Sequence, residues 1–593
     1  MAILLKSLFF LSLLFVSGSA FPFIGGLLGD ADKTVDQGFG TVANGGADDD
    51  ATSDTNNQIP DDDNTGVAQP DFQTNFLGNW MIHNPNAGVS SMHLQLLPTN
   101  KAIMTDATNL GPSAIKLADG KCLPVPGAPR LVDCWAHAVE YDIDTAEVRP
   151  LEVLSNPWCS AGGLTVDGSL ISVGGTEEGN RSVRILKPCQ GCDFMDQQAV
   201  VSSPRWYSSQ EKLEDGSFII FGGRREYSYE YVQSSLTFPQ RRVPLLFLNE
   251  TDDDKIVNAY ENNLYPFVHL LPDGTIFLLA NRRAVIISTE TDTIVRELPR
   301  MPGGSRNYPA SGMSALLPLK ISNDGAPVQA EVMVCGGAKP EAAWTLDKKK
   351  QMLLALTDCG RITPSDPNAF WAMENMPSRR VMGDLLLLPT AQALILNGAM
   401  QGVAGWRLAD SPNLTPLLYT PENKVKERFQ SLSPSTIARM YHSSAALLPD
   451  GTILVAGSNS HPKYTFTGPF PTELRVEKFS PPYLDPVLDA HRPLISEDTS
   501  DKTLAYGEKF SVAIELEDAA GAQDFKLTML HPPFTTHGYS QSQRLLVLEP
   551  VSYVNGVITA VAPPSGKLAP PGYYILYVVH RGVPSRGMWV QIA

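Results

Sequence analysis

The sequence predicts an all-β protein, and three observations support this fold class. Short runs of β-forming residues recur along the chain, and several pairs of runs are joined by an Asp-Gly turn, a strong hairpin signal. The recurrence has a long, regular period, as in "CSAGGLTVDGSLISVGG" from Cys159 and "HSSAALLPDGTILVAGS" from His442. After residue 475 the recurrence stops, and alternating strands continue to residue 593. We therefore expect a repeat-built β domain followed by a second β domain.

The repeat consists of a strand, a turn, a second strand and a Gly pair or its equivalent. Seven copies can be traced, with turns near residues 99, 167, 215, 273, 319, 390 and 450. Such a repeat is typical of a kelch-like β-propeller, in which each sheet buries its faces against its neighbours. A β-sandwich is the alternative, but the regular long period disfavours it. We predict a seven-bladed kelch-like β-propeller over residues 71–475 and an immunoglobulin-like β-sandwich over residues 476–593.

The N-terminal residues 1–20 are typical of a secretory signal peptide. Lys6 precedes an apolar run, and Gly18 and Ala20 supply the small residues that signal peptidase requires. An anchoring helix is the alternative, but the run is too short for a membrane span. We expect a secreted, extracellular protein with no membrane partner. Export agrees with three N-glycosylation sequons, which begin at Asn180, Asn249 and Asn413.

Residues 21–70 form an acidic low-complexity segment. Ten Asp and one Lys fall between residues 21 and 66, whereas the whole chain has a net charge of −17. Such a segment has little to bury and is expected to be disordered. It could bind calcium or basic cell-wall polymers, although a solvated spacer is the simpler interpretation. No basic patch indicates a nucleic-acid partner, and we expect a monomer.

The cysteine count is odd for an exported protein. Six of the seven cysteines can pair by proximity in sequence, as Cys122–Cys134, Cys189–Cys192 and Cys335–Cys359. Cys159 is left without a neighbour. A buried free thiol or a different pairing would explain it, but its place in the repeat suggests a site.

The turn of each repeat provides a common reference position. Counting back eight residues from the turn gives one ring position per copy: Cys159, Tyr207, Tyr265 and His442, with Ser91, Ser311 and Met382 in the weaker copies. Equivalent positions of a propeller surround its axis, so these residues should converge at one mouth of the channel. Tyr441 is adjacent to His442 and should join them.

A thiol, two phenols and an imidazole that converge in a secreted protein indicate a metal site. Zinc would favour several thiolates or imidazoles. Phenolate and imidazole suit Cu(II) better. One imidazole is too few, and spacing alone leaves the second open among His491, His531, His537 and His580.

Four separated motifs, "NPWCSAGG", "RWYSSQ", "ARMYHSSAALLPDG" and "TTHGYSQSQR", give the chain a specific resemblance. Over residues 71–593 it resembles the copper-radical oxidases, the family of galactose oxidase and glyoxal oxidase. The resemblance implies a thioether cross-link between Cys159 and Tyr207 that forms a protein radical. It implies Tyr207, Tyr441, His442 and His537 as copper ligands, with Tyr441 axial and acting as the base.

The match at "TTH" singles out His537 and implies that a hairpin of the C-terminal domain enters the channel. Tyr265 matches no family ligand and is read as pocket wall. Galactose oxidases place a tryptophan over the cross-linked ring, whereas Arg225 occupies that offset here. We expect Tyr227, Tyr229 or Trp158 to shield the radical instead.

The flanks of the motifs are closer to the glyoxal oxidase branch. The resemblance therefore implies an aldehyde oxidase that converts small aldehydes such as glyoxal or methylglyoxal, with O₂ and water, into carboxylic acids and hydrogen peroxide. One alternative is a galactose or primary-alcohol oxidase acting on cell-wall sugars. The other is a non-catalytic kelch propeller that binds polysaccharide or protein, since fold alone does not imply an enzyme.

Overall fold

A computed structural model describes residues 69–125, 128–233, 241–252 and 260–593. The predicted signal peptide, and all of the acidic segment before residue 69, lie outside the described residues. Within these ranges, no helix has the length and apolar character needed to cross a membrane.

In the described residues, seven antiparallel sheets succeed one another along the chain; six have four strands, and a C-terminal hairpin extends sheet 1 to six strands. Sheet 1 contains His93–Leu97, Lys101–Thr105, Ala138–Asp142 and Val148–Leu151; sheet 2 contains Ala161–Leu164, Leu170–Val173, Val183–Leu186 and Met195–Gln197. Sheet 3 contains Ser209–Lys212, Phe218–Phe221, Ser228–Val232 and Arg242–Pro244; sheet 4 contains Phe267–Leu270, Ile276–Ala280, Arg283–Ser288 and Thr293–Glu297. Sheet 5 contains Met313–Leu316, Val332–Cys335, Asp358–Ile362 and Ala372–Asn375; sheet 6 contains Asp384–Leu387, Ala393–Leu396, Leu417–Tyr419 and Phe429–Ser431. Sheet 7 contains Ser443–Leu447, Ile453–Gly457, Val476–Ser480 and, from the start of the described chain, Asn79–Asn84.

The first strand of each sheet faces a common centre. First strands of neighbouring sheets pack side by side, except that a hairpin from the C-terminal part lies between those of sheets 1 and 2. Six of the seven predicted turns join the first and second strands of one sheet directly. The turn predicted near residue 319 is wrong: the longer connection in sheet 5 contains the strand Leu319–Ile321, which pairs with Arg544–Leu548. The turn glycines need a left-handed backbone: Gly168 has φ of 79°, and a Cβ there would lie 2.7 Å from Pro98.

Buried arginines fix the loops that follow the second strands. In sheet 3, Arg205 donates to the Gly222 carbonyl at 2.7 Å and pairs with Glu230, and both side chains are fully buried. In sheet 7, Arg439 repeats the arrangement with the Gly457 carbonyl and Glu477. A buried guanidinium needs such partners because desolvation is costly. The arginines thereby hold the segments that carry the ring positions.

The C-terminal part forms two further sheets. One contains Leu319–Ile321, Arg544–Leu548, Phe525–His531, Gly572–His580, Met588–Ile592 and Thr503–Leu504, with Val583–Pro584 paired to Gly572–His580. The other contains Leu494–Ile495, Lys509–Glu515, Val557–Val561 and Pro550–Val554. The hairpin Phe534–Thr536 and Tyr539–Gln541 leaves this part and pairs with the first strand of sheet 1.

The remaining elements are short. Among the described residues the α-helices are Leu246–Glu250 and Ala342–Lys349, and two-stranded sheets pair Leu123–Val125 with Ala128–Asp133 and Ala399–Gly402 with Ala409–Pro412. The 3₁₀ helices are Ala118–Gly120, Glu177–Arg181, Val425–Glu427, Pro482–Leu484, Pro486–His491, Glu497–Thr499 and Ala522–Asp524.

The sequence predicted a domain boundary between residues 475 and 476, and the sheets of the structure place it later. The strand Val476–Ser480 pairs within sheet 7 with both Ile453–Gly457 and Asn79–Asn84. Sheet 7 would lose two of its strands if the chain were divided before Val476, because Asn79–Asn84 reaches the sheet only through this strand. The C-terminal part therefore begins after Ser480.

The three predicted disulfides are confirmed, as Cys122–Cys134, Cys189–Cys192 and Cys335–Cys359. The last joins directly paired residues of two neighbouring strands of sheet 5. Cys159 is free and fully buried.

Candidate metal centre

The ring positions share an unusual backbone conformation. Six of the seven have a positive φ: Cys159 59°, Tyr207 65°, Tyr265 50°, Ser311 39°, Met382 57° and His442 61°. Ser91 does not share it. Backbone hydrogen bonds link successive positions, from Tyr207 N to Cys159 O at 3.0 Å and from Tyr265 N to Tyr207 O at 2.9 Å. The count of eight residues from each turn thus identified structurally equivalent positions.

The left-handed conformation is costly for residues with a side chain. It costs about 1–3 kcal/mol at each such residue and is common at functional sites. Cys159, Tyr207 and His442 each lie one or two residues before the first strand of a sheet and share the positive φ. The same local geometry therefore presents three different chemical groups to one centre.

His537 reaches this centre from the inserted hairpin. Thr536 pairs with His93 of sheet 1, and the turn residues His537 and Gly538 have φ of 50° and 81°. A Cβ on Gly538 would lie 2.7 Å from the Gly383 carbonyl oxygen, so only glycine fits this close approach. The hairpin entry predicted from the resemblance is therefore present.

The other C-terminal histidines have partners elsewhere. The Nδ1 atom of His491 lies 2.7 Å from Asp518, and that of His580 lies 3.1 Å from the His491 carbonyl oxygen. His531 Nδ1 faces the Ser542 carbonyl oxygen at 3.1 Å. Of the four candidates for the second imidazole, only His537 belongs to the group of close metal-ligating atoms found in the described residues.

Three ligand atoms form that group: Cys159 Sγ and one nitrogen each from His442 and His537 lie within 4.8 Å of one another. The Cys159 Sγ to His537 Nε2 distance is 3.3 Å, and the two imidazole centroids are 4.9 Å apart. Neither nitrogen of the buried His442 has a hydrogen-bond partner among the described residues. Buried polar atoms are usually paired, so these nitrogens indicate a ligand.

Burial keeps both imidazoles neutral, the form that binds metals. It lowers the pKa of His537 to about 3 and the pKa of His442 well below its usual value, with the nearby His537 adding to the latter effect. A neutral imidazole offers a lone pair to a cation. The donor set therefore fits a metal ion.

Tyrosine side chains complete the centre. The Tyr441 ring stacks on His442 at a centroid distance of 3.9 Å and lies 5.4 Å from the His537 ring. The Tyr207 ring lies 6.1 Å from His537. Burial raises the pKa of both phenols well above its usual value. A cation beside them would be needed for either to ionise near neutral pH.

Tyr308 is a site residue that the sequence did not reveal. Its hydroxyl lies 3.3 Å from the Tyr207 hydroxyl and 3.4 Å from the Tyr441 hydroxyl, and its ring stacks on Tyr207 at 4.4 Å. Tyr308 lies three residues before the ring position Ser311. The other copies of the repeat have no matching tyrosine at that offset. It therefore carries no sequence signal.

An aromatic cluster covers Tyr207 on another side. Trp206 packs on Tyr207 at 4.9 Å, Trp158 packs on Trp206 at 5.3 Å, and Trp406 stacks on Trp158 at 4.9 Å. Trp158 and Trp206, like Tyr441, immediately precede a ring position, a signal that could have found both tryptophans.

The expectation that Tyr227 or Tyr229 shields the radical is wrong, whereas Trp158 does lie in the cluster. Tyr229 points into the apolar cluster between sheets 3 and 4, and Tyr227 packs against that cluster. Tyr265 lies beside the centre: its hydroxyl donates to the Ser160 carbonyl oxygen at 3.0 Å, and its ring lies 5.0 Å from His537. Its role as a pocket wall stays a prediction.

The chain matches two family models. Residues 92–483 match the model described as glyoxal oxidase N-terminus. The chain belongs to the glyoxal oxidase family. Residues 492–592 match the model described as galactose oxidase-like, Early set domain. The first match ends at residue 483, three residues beyond the boundary that the sheets place after Ser480.

Plant proteins are among the most similar relatives. Art an 7 of Artemisia annua is 48% identical over 536 residues, which cover 88% of this chain and 90% of that protein. Aldehyde oxidase GLOX1 of Arabidopsis thaliana is 45% identical over 537 residues, 89% of this chain and 86% of that one. A fungal alcohol oxidase of the AA5 family, solved in complex with copper, has a TM-score of 0.66 at 17% identity and covers 87% of this chain and all of that one. Because the sequence identity to this oxidase is low, the likeness is evidence for the fold of this chain alone.

Proposed function

We propose that this protein is a secreted copper-radical aldehyde oxidase. It would convert small aldehydes such as glyoxal or methylglyoxal, with O₂ and water, into carboxylic acids and hydrogen peroxide. The observation that carries the proposal is the convergence of Tyr207, Tyr441, His442 and His537 with the free thiol of Cys159 in one buried centre. Family membership and the aldehyde oxidase name of the Arabidopsis relative support it.

The proposed architecture is a seven-bladed kelch-like propeller with an immunoglobulin-like sandwich behind it. Seven sheets whose first strands pack around one centre support the propeller. The two C-terminal sheets and the early-set match support the sandwich. In this arrangement the ring positions lie around the mouth of the channel.

Tyr207, Tyr441, His442 and His537 would hold copper. Two imidazoles and two phenols suit Cu(II), and the unpartnered nitrogens of His442 support their use as ligands. When bound, copper would accept one electron and lower the pKa of nearby oxygen groups. The radical of Tyr207, cross-linked to Cys159 by a thioether, would accept the second electron, because sulfur on the ring stabilises a phenoxyl radical.

The protein groups then have separate roles. The aldehyde reacts as its hydrate, RCH(OH)₂, and loses two protons and two electrons to give RCOOH while O₂ becomes H₂O₂. Tyr441, as a phenolate, would take the proton of one hydroxyl. The Tyr207 radical would take the hydrogen atom on carbon. Tyr308, between both phenol hydroxyls, would keep them at a fixed separation.

Secretion is proposed from residues 1–20, and the sequons give a partial check. Asn249 is exposed and could carry a glycan. Asn413 is buried, and its side-chain amide donates to Ser378 at 2.8 Å and to the Arg379 carbonyl oxygen at 3.0 Å. Glycosylation is therefore expected at Asn249 and not at Asn413, which mapping of glycopeptides from the expressed protein would test.

A peroxide assay distinguishes the oxidase alternatives. Copper-loaded protein is offered glyoxal, methylglyoxal and galactose, and peroxide release is measured. We expect release with the aldehydes, whereas release with galactose alone would reject aldehyde oxidation in favour of sugar oxidation. A Cys159→Ala variant is the matched control and should lose activity.

Intact-protein mass distinguishes an oxidase from a binding module. Thioether formation removes two hydrogen atoms, so copper loading in air should lower the mass of the wild-type protein but not of Cys159→Ala. Failure of the wild-type protein to bind copper or to change mass would favour a non-catalytic propeller. Binding of cell-wall polymers could then be tested directly.

A further inference from the structure

A buried carboxylate lies beside the candidate ligand His442. Asp106 follows the second strand of sheet 1, and its side chain, like that of His442, has no exposed surface. Its Oδ1 atom lies 4.0 Å from Nδ1 of His442. Buried carboxylates are rare unless they are paired, so the position of Asp106 needs an explanation.

Asp106 is held in place from two directions. The backbone N–H of Ala107 donates to Oδ1 at 2.8 Å, and the hydroxyl of Tyr464 donates to Oδ2 at 3.0 Å. Tyr464 follows the second strand of sheet 7, and its own hydroxyl accepts the N–H of Ser90 at 3.1 Å. The carboxylate therefore joins sheets 1 and 7 at the side of His442 that carries Nδ1.

The two imidazoles have matching surroundings. Nδ1 of His537 contacts the Thr536 hydroxyl at 2.6 Å, which leaves Nε2 directed towards Cys159. Nδ1 of His442 also faces an oxygen group, Oδ1 of Asp106, but at 4.0 Å, which is longer than a hydrogen bond. In both residues an oxygen group faces Nδ1, so Nε2 is the nitrogen left for a metal.

We propose that Asp106, fixed by Tyr464, is the positioning residue of His442 and strengthens copper binding through it. The inference rests on the proposed function, because it requires copper at this centre. A carboxylate that faces the distal nitrogen of a ligating imidazole orients the ring, fixes its tautomer and raises its basicity. Its negative charge also favours a nearby cation in a buried site.

The first test measures copper affinity by competition with a chelator. Asp106→Asn keeps the size of the side chain and an oxygen for the Ala107 N–H, but removes the charge. We expect its Kd for copper to rise by about 10–100-fold, the range found when such partners of metal-ligating histidines are removed. Tyr464→Phe should weaken copper binding in the same direction and by less.

A matched control is Asp384→Asn. Asp384 is also a buried carboxylate, but it accepts a hydrogen bond from Asn397 at 2.7 Å within sheet 6. Its substitution should leave the copper Kd within about twofold of the wild-type value, because it faces neither imidazole. A loss of affinity as large as that of Asp106→Asn would mean that any buried charge change perturbs the centre, and would overturn the assignment.

Two readouts separate positioning from a structural role. The hyperfine pattern of bound Cu(II) in electron paramagnetic resonance should change in Asp106→Asn, while the melting temperature of the metal-free protein stays within a few degrees. In a His442→Gln background, Asp106→Asn should cause no further loss of affinity, since its effect passes through His442.

The results also separate this proposal from the proposed function. An unchanged Kd and an unchanged spectrum for Asp106→Asn, with normal copper binding by the wild-type protein, would refute the role of Asp106 alone. An additive loss in the double variant would likewise refute action through His442. Absence of copper binding by the wild-type protein would refute the proposed function itself.

Discussion

Replacement of a buried lysine offers a direct test of the energetics of the protein interior. Lys212 is the last residue of the first strand of sheet 3 and is 1% exposed. Its Nζ atom has no hydrogen-bond partner among the described residues, and a Cβ on Gly572 would lie only 2.6 Å from it. We expect Lys212→Met to stabilise the protein, because methionine fills a similar volume without a charge.

The magnitude follows from the cost of the buried charge. Burial lowers the pKa of Lys212 from 10.5 to about 7, and the charge of Asp167 opposes this only in part. This fall corresponds to on the order of 5 kcal/mol against the charged form. Replacing buried ionic groups by apolar ones has stabilised other proteins by about 1–4 kcal/mol. We therefore expect a gain of about 2–5 kcal/mol at pH 6.

The pH dependence has a definite sign. Below about pH 7 Lys212 is charged in both the folded and unfolded states, so the full cost is present. Between about pH 7 and 10.5 only the unfolded state binds the proton, and the stability of the wild-type protein rises with pH relative to the variant. The advantage of Lys212→Met should be largest at pH 6 and should disappear towards pH 10.5.

Urea unfolding of the metal-free protein at pH 6 and pH 9 measures both effects. The control is Lys478→Met, since Nζ of Lys478 donates to Asp450 at 3.0 Å and to the Ile143 carbonyl oxygen at 2.9 Å. That change should destabilise the protein by leaving two acceptors without their donor. Equal or lower stability of Lys212→Met at pH 6 would refute the reasoning.

Other substitutions test the site and its support. His537→Gln should lose stoichiometric copper, measured by metal analysis after dialysis; retention of one copper per chain would contradict its role. Glu230→Gln should lower the free energy of unfolding by about 3–5 kcal/mol, because it leaves the buried Arg205 without its carboxylate; denaturant unfolding checks this. Tyr308→Phe should lower kcat with glyoxal by about 2–10-fold through loss of one bridging hydroxyl, and an unchanged kcat in the peroxide assay would exclude the bridge.

The sequence predicted the repeated part of the site well because a physical constraint recurs in each copy. An Asp-Gly turn fixes where a hairpin begins, and a fixed strand length then fixes where the preceding loop enters the sheet. Cys159, Tyr207 and His442 could therefore be aligned without a structure. The shared left-handed backbone shows that the alignment is correct at the level of single residues.

Residues outside the repeat could not be found in this way. His537 lies on a hairpin of the C-terminal part, so no spacing within the repeat relates it to His442, and only the resemblance selected it. The prediction for Tyr229 was wrong because side chains alternate between the two faces of a strand, and the face of Tyr229 depends on where the strand Ser228–Val232 begins. In the structure its side chain lies in the apolar cluster between sheets 3 and 4. Tyr308 lies in a loop, and no local sequence pattern predicts the path of that loop.

The inserted hairpin has a consequence for when the centre can exist. During synthesis the ribosome produces the segments of Cys159, Tyr207 and His442 before that of His537, which lies 95 residues after His442. A nascent chain that has formed all seven sheets still lacks the imidazole of His537. On the proposed function, copper would therefore find its full set of ligands only after the hairpin that carries His537 has docked against sheet 1.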